Sequence, residues 1–371
     1  MDWVGRTFLR STRKRHGGYR SGNTKRLIRK VFARYPHLCR TAPKRRLAPQ
    51  LAPSEPCHFL TRAPKLYFTA IALVDRNAHK DLSASGRSWE ETPLSRTSRY
   101  LTCAGYEIHF SEWGAEHADV VVMWHGLART GRDFDDLASH LEDRYRVICP
   151  DTIGRGLSQW AKDRERDYCF ALYRDIAIDL LDQLGVAQMR WVGTSMGGLI
   201  GLTLAADRLK DRITHLVLND IGPEIAQAAA DRIAAYAGDP PSFTTYGEFE
   251  AWLRTIYEPF GIKDDATWKL LAETGHRRMG DGRITVHYDP RIVTHFTTHK
   301  SDLDLWEAYD AVACPTLVLR GANSDLLLSD VAEAMTKRGP KAEVVEIEGV
   351  GHAPVLNDEE QRGIVTSFLA R

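Results

Sequence analysis

A single serine stands among glycines in VGTSMGGLIG (192–201), with the apolar run MRWVG (189–193) ahead of it and MGGLIGLTLAA (196–206) leading away. A serine hydroxyl is a poor nucleophile at its free pKa. It becomes useful when a base is within hydrogen-bond reach and N–H groups nearby can carry negative charge. GTSMG fits G-x-S-x-G, and its flanks predict a strand before and a helix after, which is the context that motif needs. Small neighbours let the backbone turn sharply, lift Ser195 off a sheet edge and aim the first helical N–H groups at the same point. Without partners the string is only a glycine-rich strand-to-helix turn.

Three other stretches supply candidate partners. HGLAR (125–129) follows the apolar run DVVVMW (119–124), and a His-Gly turn there leaves N–H groups free to face the serine. Leu127 and Met196 are the expected oxyanion-hole donors. RGANSDLL (320–327) places Asp325 in a loop after a predicted strand, and GVGHAP (349–354) places His352 in another. The expected triad is therefore Ser195, Asp325 and His352, in the chain order Ser…Asp…His. Asp220, at the end of ITHLVLND (213–220), competes for the role of the acid, and Asp151 and Asp330 are further candidates. HFTTH (295–299) spaces His295 and His299 four apart but has no glutamate of the H-E-x-x-H kind, so no metal site is expected there. HYDPR (287–291) is a place from which Tyr288 or Arg291 could reach a pocket. Phe249, Trp252 and Ile256 have helical spacing and read as core packing.

These residues need a frame that brings loops from distant strands to one rim. YLTCAGYEIHFSEWG (100–114) reads as a hairpin turning at Gly105. Short apolar runs then alternate with amphipathic segments. Strands are expected at 119–124, 146–150, 189–193, 213–220, 315–321 and 342–349, with helices at 173–185, 196–206, 329–339 and 358–370. That alternation predicts an α/β fold with a mostly parallel central sheet and helices on both faces. Residues 222–305 interrupt it with helical, aromatic-rich sequence, which reads as a helical cap insertion over the sheet's C-terminal rim.

Composition sets the remaining bounds. The 371 residues carry a net charge of +1, but residues 1–100 hold 22 Lys+Arg against 6 Asp+Glu, while 101–371 hold 28 against 43. Residues 1–95 are basic, proline-rich and poorly periodic. They read as a disordered extension: a solvated tail, a transit peptide, a basic arm, or translated upstream sequence. They lack the aromatic interleaving of single-strand binders, so no nucleic-acid partner is expected. Residues 96–371 form the folded domain. No apolar run has the roughly 20 residues of a membrane helix. Six scattered cysteines without a CxxC point to free thiols in a reducing compartment. The cytoplasm is expected, or an organelle if the Arg-rich start is a transit peptide. Oligomeric state is not legible.

From about residue 98 onward the chain resembles the α/β-hydrolase superfamily, on the residues quoted above and on PDTIGRGLS (150–158), where Asp151 and the glycines shape the loop after a strand. The resemblance is to the esterase, lactonase and carbon–carbon hydrolase branches that carry a helical cap. It implies a serine hydrolase that cleaves a small-molecule carboxylic ester or related acyl compound through an acyl-enzyme, with no cofactor. Hydrolysis of a carbon–carbon bond in a diketone-like metabolite is the alternative enzyme. A ligand-binding member of the fold with little turnover is the alternative outside catalysis.

Overall fold

Residues two apart on a strand share a face, and this sorts the apolar strand residues onto two sides of one sheet. The computed structural model describes residues 96–294 and 304–371. The hairpin comes first, β1 (Arg96–Cys103) and β2 (Tyr106–Trp113), followed by β3 (Val120–Trp124). A 3-10 turn then leads into α1 (Asp135–Leu141), and β4 (Arg146–Pro150), α2 (Phe170–Gln183), β5 (Met189–Thr194), α3 (Met196–Ala206) and β6 (Ile213–Asn219) follow. After an insertion come β9 (Thr316–Gly321), α8 (Ser329–Met335), β10 (Glu343–Ile347) and α9 (Glu359–Leu369).

The eight strands lie in the order β1-β2-β4-β3-β5-β6-β9-β10. Within this sheet only the β1/β2 and β2/β4 pairs are antiparallel. Val121, Met123, Val147, Val192, Val217 and Leu317 share one buried cluster with Leu137, Val365 and Phe368 of α1 and α9. Val122, Trp124, Ile148, Trp191, Leu216 and Val318 share the other with α2 and α3. With helices on both faces, β3 is apolar and buried throughout and β5 and β6 are mostly so, as parallel strands covered on both sides should be.

The insertion carries α4 (Gln227–Gly238), α5 (Tyr246–Ile256), α6 (Asp265–Gly275), the short strands β7 (His276–Arg278) and β8 (Ile284–Val286), and α7 (Trp306–Ala311). Thr245 and Glu248 form a reciprocal capping box at the start of α5. Phe249 is fully buried and packs against Phe243 and Trp252, as its helical spacing suggested. The β7–β8 hairpin was not expected from sequence. Gly282, at φ +87°, lets residues 279–283 turn back on themselves, and this local chemistry overrides the helical reading of the surroundings. His295 and His299, like residues 1–95, lie outside the described residues. Among the described residues no helix is long and apolar enough to cross a membrane.

Candidate active site

Ser195 lies between the last residue of β5 and the first of α3, with φ +50° and ψ −117°. A non-glycine residue takes that conformation only when the surrounding structure enforces it. The enforcement is visible in its glycine neighbours. A Cβ on Gly197 would stand 2.0 Å from the Trp124 carbonyl oxygen, and one on Gly193 2.3 Å from the Gly197 carbonyl oxygen. The turn is therefore wedged between β3 and its own helix. Trp191 Nε1–H, donating to the Gly197 carbonyl at 3.0 Å, ties it from below.

The loop after β10 brings His352 to this turn, and its Nε2 lies 3.0 Å from Ser195 Oγ. Its Nδ1 lies 2.7 Å from Oδ2 of Asp220, not of Asp325. Asp220 is fully buried. Its Oδ1 accepts the Gly321 N–H at 2.7 Å, and its Oδ2 also accepts the Ser324 hydroxyl at 2.6 Å. Asp325 points elsewhere: its two oxygens accept Nε and Nη2 of Arg232, both at 2.8 Å, and its side chain is 49% exposed. The sequence expectation for the acid is thus corrected. β6 and β9 are neighbours, so both aspartates come from the same rim. Asp220 directly follows the last residue of β6, whereas Asp325 stands four residues beyond the end of β9 and swings outward. Asn219 reinforces the join, donating Nδ2–H to Thr194 Oγ1 at 2.9 Å and to the Pro354 carbonyl at 2.8 Å.

The other candidate acids lie apart from His352. Asp151 bonds His109 Nδ1 at 2.7 Å, and His109 Nε2 in turn lies 2.7 Å from Ser98 Oγ. None of these three lines the cleft around Ser195. Asp151 also accepts N–H groups of Gly131 and Leu157, so its work is to hold loops. Asp330 is exposed in the first turn of α8. Arg291 pairs with Glu165 at the surface. Tyr288 is buried outside the cleft lining, with no hydrogen-bond partner for its hydroxyl among the described residues.

Leu127 and Met196 both line the cleft with Ser195. Met196 opens α3, so its N–H belongs to the first turn, which no helix satisfies internally. Among the described residues no acceptor is bonded to either N–H. Two buried side chains fix this corner. The His125 Nδ1–H donates to the Gly126 carbonyl at 2.6 Å, while Nε2 accepts from the Thr152 N–H at 2.9 Å. Burial pushes its pKa down to about 4, so the ring stays neutral. The Gly126 carbonyl and the Leu127 N–H belong to one peptide plane, so the histidine sets the direction of that N–H.

Sequence reading missed Arg155. It is fully buried, and among the described residues no carboxylate lies within ion-pair reach of it. Its Nε donates to the Leu127 carbonyl at 2.8 Å, and its Nη1 to the Ile153 carbonyl and the Tyr173 hydroxyl. Its Nη2 lies 3.5 Å from Met196 Sδ. One guanidinium thus touches both expected oxyanion residues. In PDTIGRGLS the arginine gives no sequence signal, because only folding brings residue 155 under residues 127 and 196.

Two lobes meet at Ser195. One is lined by Leu127, Phe170, Met196, Leu199, Ile221 and Leu326 among others. The other holds His352 with Arg129, Asp133, Tyr236 and Tyr257. Both lobes open to solvent and span about 470 and 580 Å³ with their open mouths counted. Among the described residues no group of three or more His, Cys, Asp or Glu side chains could hold a metal ion.

Comparison with known proteins agrees with this fold. The sequence profile of the alpha/beta hydrolase fold matches residues 119–359. A 3-hydroxybutyrate-oligomer hydrolase of Cupriavidus necator is 40% identical over 274 residues, covering 71% of this chain and 93% of that protein. A 2-(acetamidomethylene)succinate hydrolase of Mesorhizobium japonicum is 27% identical, covering 67% and 87%. The crystal structure of an alpha/beta hydrolase from Novosphingobium aromaticivorans superposes with a TM-score of 0.68 at 34% identity, covering 75% of this chain and 99% of that one. With a serine on a forced turn, an imidazole against it and hydrolases for relatives, the chain belongs to the alpha/beta hydrolase fold family and is an enzyme of the hydrolase class.

Proposed function

We propose that the protein hydrolyses carboxylic esters of small hydroxy acids, with Ser195 as nucleophile, His352 as base and Asp220 as the acid that orients it. One observation carries this reading: His352 lies 3.0 Å from the Ser195 hydroxyl on one side and 2.7 Å from the Asp220 carboxylate on the other. With Nδ1–H donated to Asp220, Nε2 is the lone-pair nitrogen and can take the serine proton as Oγ attacks the ester carbonyl. The negative charge then forming on the carbonyl oxygen falls to the N–H groups of Leu127 and Met196. One such donor is worth on the order of 10²–10³ in rate. His352 returns its proton to the departing alcohol, and a water deprotonated by the same nitrogen releases the acid. The hydroxy-acid substrate class is supported by the 40% identity to the oligomer hydrolase and by a largely apolar cleft with the charged Arg129 and Asp133 in one lobe.

The test is turnover of p-nitrophenyl butyrate and of the 3-hydroxybutyrate dimer by the full chain and by Ser195→Ala. The variant is expected to lose activity by several orders of magnitude while its circular dichroism is unchanged. Retention of a tenth of the wild-type rate would remove Ser195 from the mechanism.

A further inference from the structure

His352 contributes to only one of the two lobes, and this sets the direction in which an ester must lie. The imidazole that takes the Ser195 proton gives it to the leaving alcohol, so that alcohol departs on the histidine side. The lobe on that side holds the charged Arg129 and Asp133 among mostly apolar neighbours, whereas the apolar lobe across Ser195 has no charged side chain in its lining. Arg129 is only 6% exposed. Its Nε and Nη2 donate to the two oxygens of Asp133 at 2.9 and 2.6 Å, and its guanidinium carbon lies 5.3 Å from the centre of the Tyr257 ring. A Cβ on Gly275 would stand 3.3 Å from Nη1, so the end of α6 packs closely on that nitrogen and only a glycine fits beside it. A guanidinium has five N–H donors; Asp133 takes two and the Tyr257 hydroxyl another. These partners fix the plane of the fork and leave two donors for a ligand.

Building on the hydrolase reading above, we infer that the apolar lobe seats the acyl half of the substrate and the histidine-side lobe seats an alcohol half bearing a free carboxylate, which Arg129 receives. In the step this implies, Ser195 Oγ bonds to the acyl carbon and the C–O bond to the hydroxy acid breaks. The alcohol oxygen leaves with the proton from His352, its own carboxylate unchanged. Water then cleaves the acyl-serine to give the free acid and restore the hydroxyl.

The test uses two constitutional isomers and one masked derivative. In 3-(butanoyloxy)butanoate the carboxylate is on the alcohol half, and in monobutyl succinate it is on the acyl half. The methyl ester of the first compound masks the charge. The wild-type protein is expected to favour 3-(butanoyloxy)butanoate over monobutyl succinate, and over its own methyl ester at the butanoyl bond, by about tenfold or more in kcat/KM, as for a hydrogen bond to a charged group. Arg129→Gln is expected to bring the acid-to-methyl-ester ratio close to one. Equal rates on the two isomers, or a preference for monobutyl succinate, would overturn the inference with wild-type data alone, whether or not the variant folds. An unchanged ratio in Arg129→Gln would overturn the role of that residue. If p-nitrophenyl butyrate is cleaved and neither isomer is, the inference fails and the hydrolase reading stands. If nothing is cleaved, both fail.

Discussion

Replacing Asp220 by Asn tests the site where sequence and structure part company. Oδ1 of Asp220 accepts a backbone N–H from Gly321, and Oδ2 accepts from both His352 Nδ1 and the Ser324 hydroxyl. A carboxamide has one oxygen and one NH₂, so one edge of the substituted side chain meets a donor with a donor. The Gly321 proton is fixed in its peptide plane, whereas the imidazole can move its proton from Nδ1 to Nε2. Relief therefore comes with the NH₂ facing His352, and Nε2 then presents a proton to Ser195 instead of a lone pair. The imidazolium formed during attack also loses its counter-charge. A wrong-tautomer histidine of this kind costs about 10⁴ in kcat, or about 5.4 kcal/mol at 1.36 kcal/mol per decade. Asp325→Asn, by contrast, removes a half-exposed pair with Arg232, of a kind worth about 0–1 kcal/mol to stability, and its kcat should stay within about twofold of wild type. The assay is kcat on p-nitrophenyl butyrate for both variants, with circular dichroism to confirm folding. An Asp220→Asn protein that keeps a tenth of the wild-type rate, or an Asp325→Asn protein that loses a hundredfold, would refute the reasoning.

Two more outcomes follow from the buried groups behind the oxyanion corner. His125 is held neutral by burial, its pKa lowered from 6.5 to about 4. The unfolded chain binds a proton there between those values and the folded one does not, so this group's contribution is full above pH 6.5 and fades as pH falls toward 4. The loss amounts to about 3 kcal/mol, read by urea unfolding at pH 7 and pH 4.5. An NMR titration placing this ring near 6.5 in the folded protein would contradict it. Arg155→Met keeps the volume and removes the donors to Leu127 and Tyr173. It is expected to lower kcat by about tenfold or more with little change in KM, with Arg155→Lys intermediate. An unchanged kcat would assign the arginine to packing alone.

Much of this molecule was legible because its signals are local. The hairpin at Gly105, the apolar strands and the span of α3 follow from short-range patterns, and a G-x-S-x-G flanked by strand and helix announces the turn wherever the rest of the chain goes. His352 was legible for a similar reason, as the histidine in a glycine-bearing loop after the last strand. The partner carboxylate was not. Asp220 and Asp325 both follow strands that end at one rim, and both keep the chain order serine, acid, histidine. Only the pairing of β6 with β9 and the outward course of residues 322–325 put one against the imidazole and the other against Arg232. The β7–β8 hairpin, the burial of Arg155 beneath residues 127 and 196, and the division of the cleft into one uncharged lobe and one holding Arg129 and Asp133 were likewise tertiary outcomes. Each depends on which residues distant in the chain come within a few ångströms of one another, and spacing along one sequence does not encode that separation.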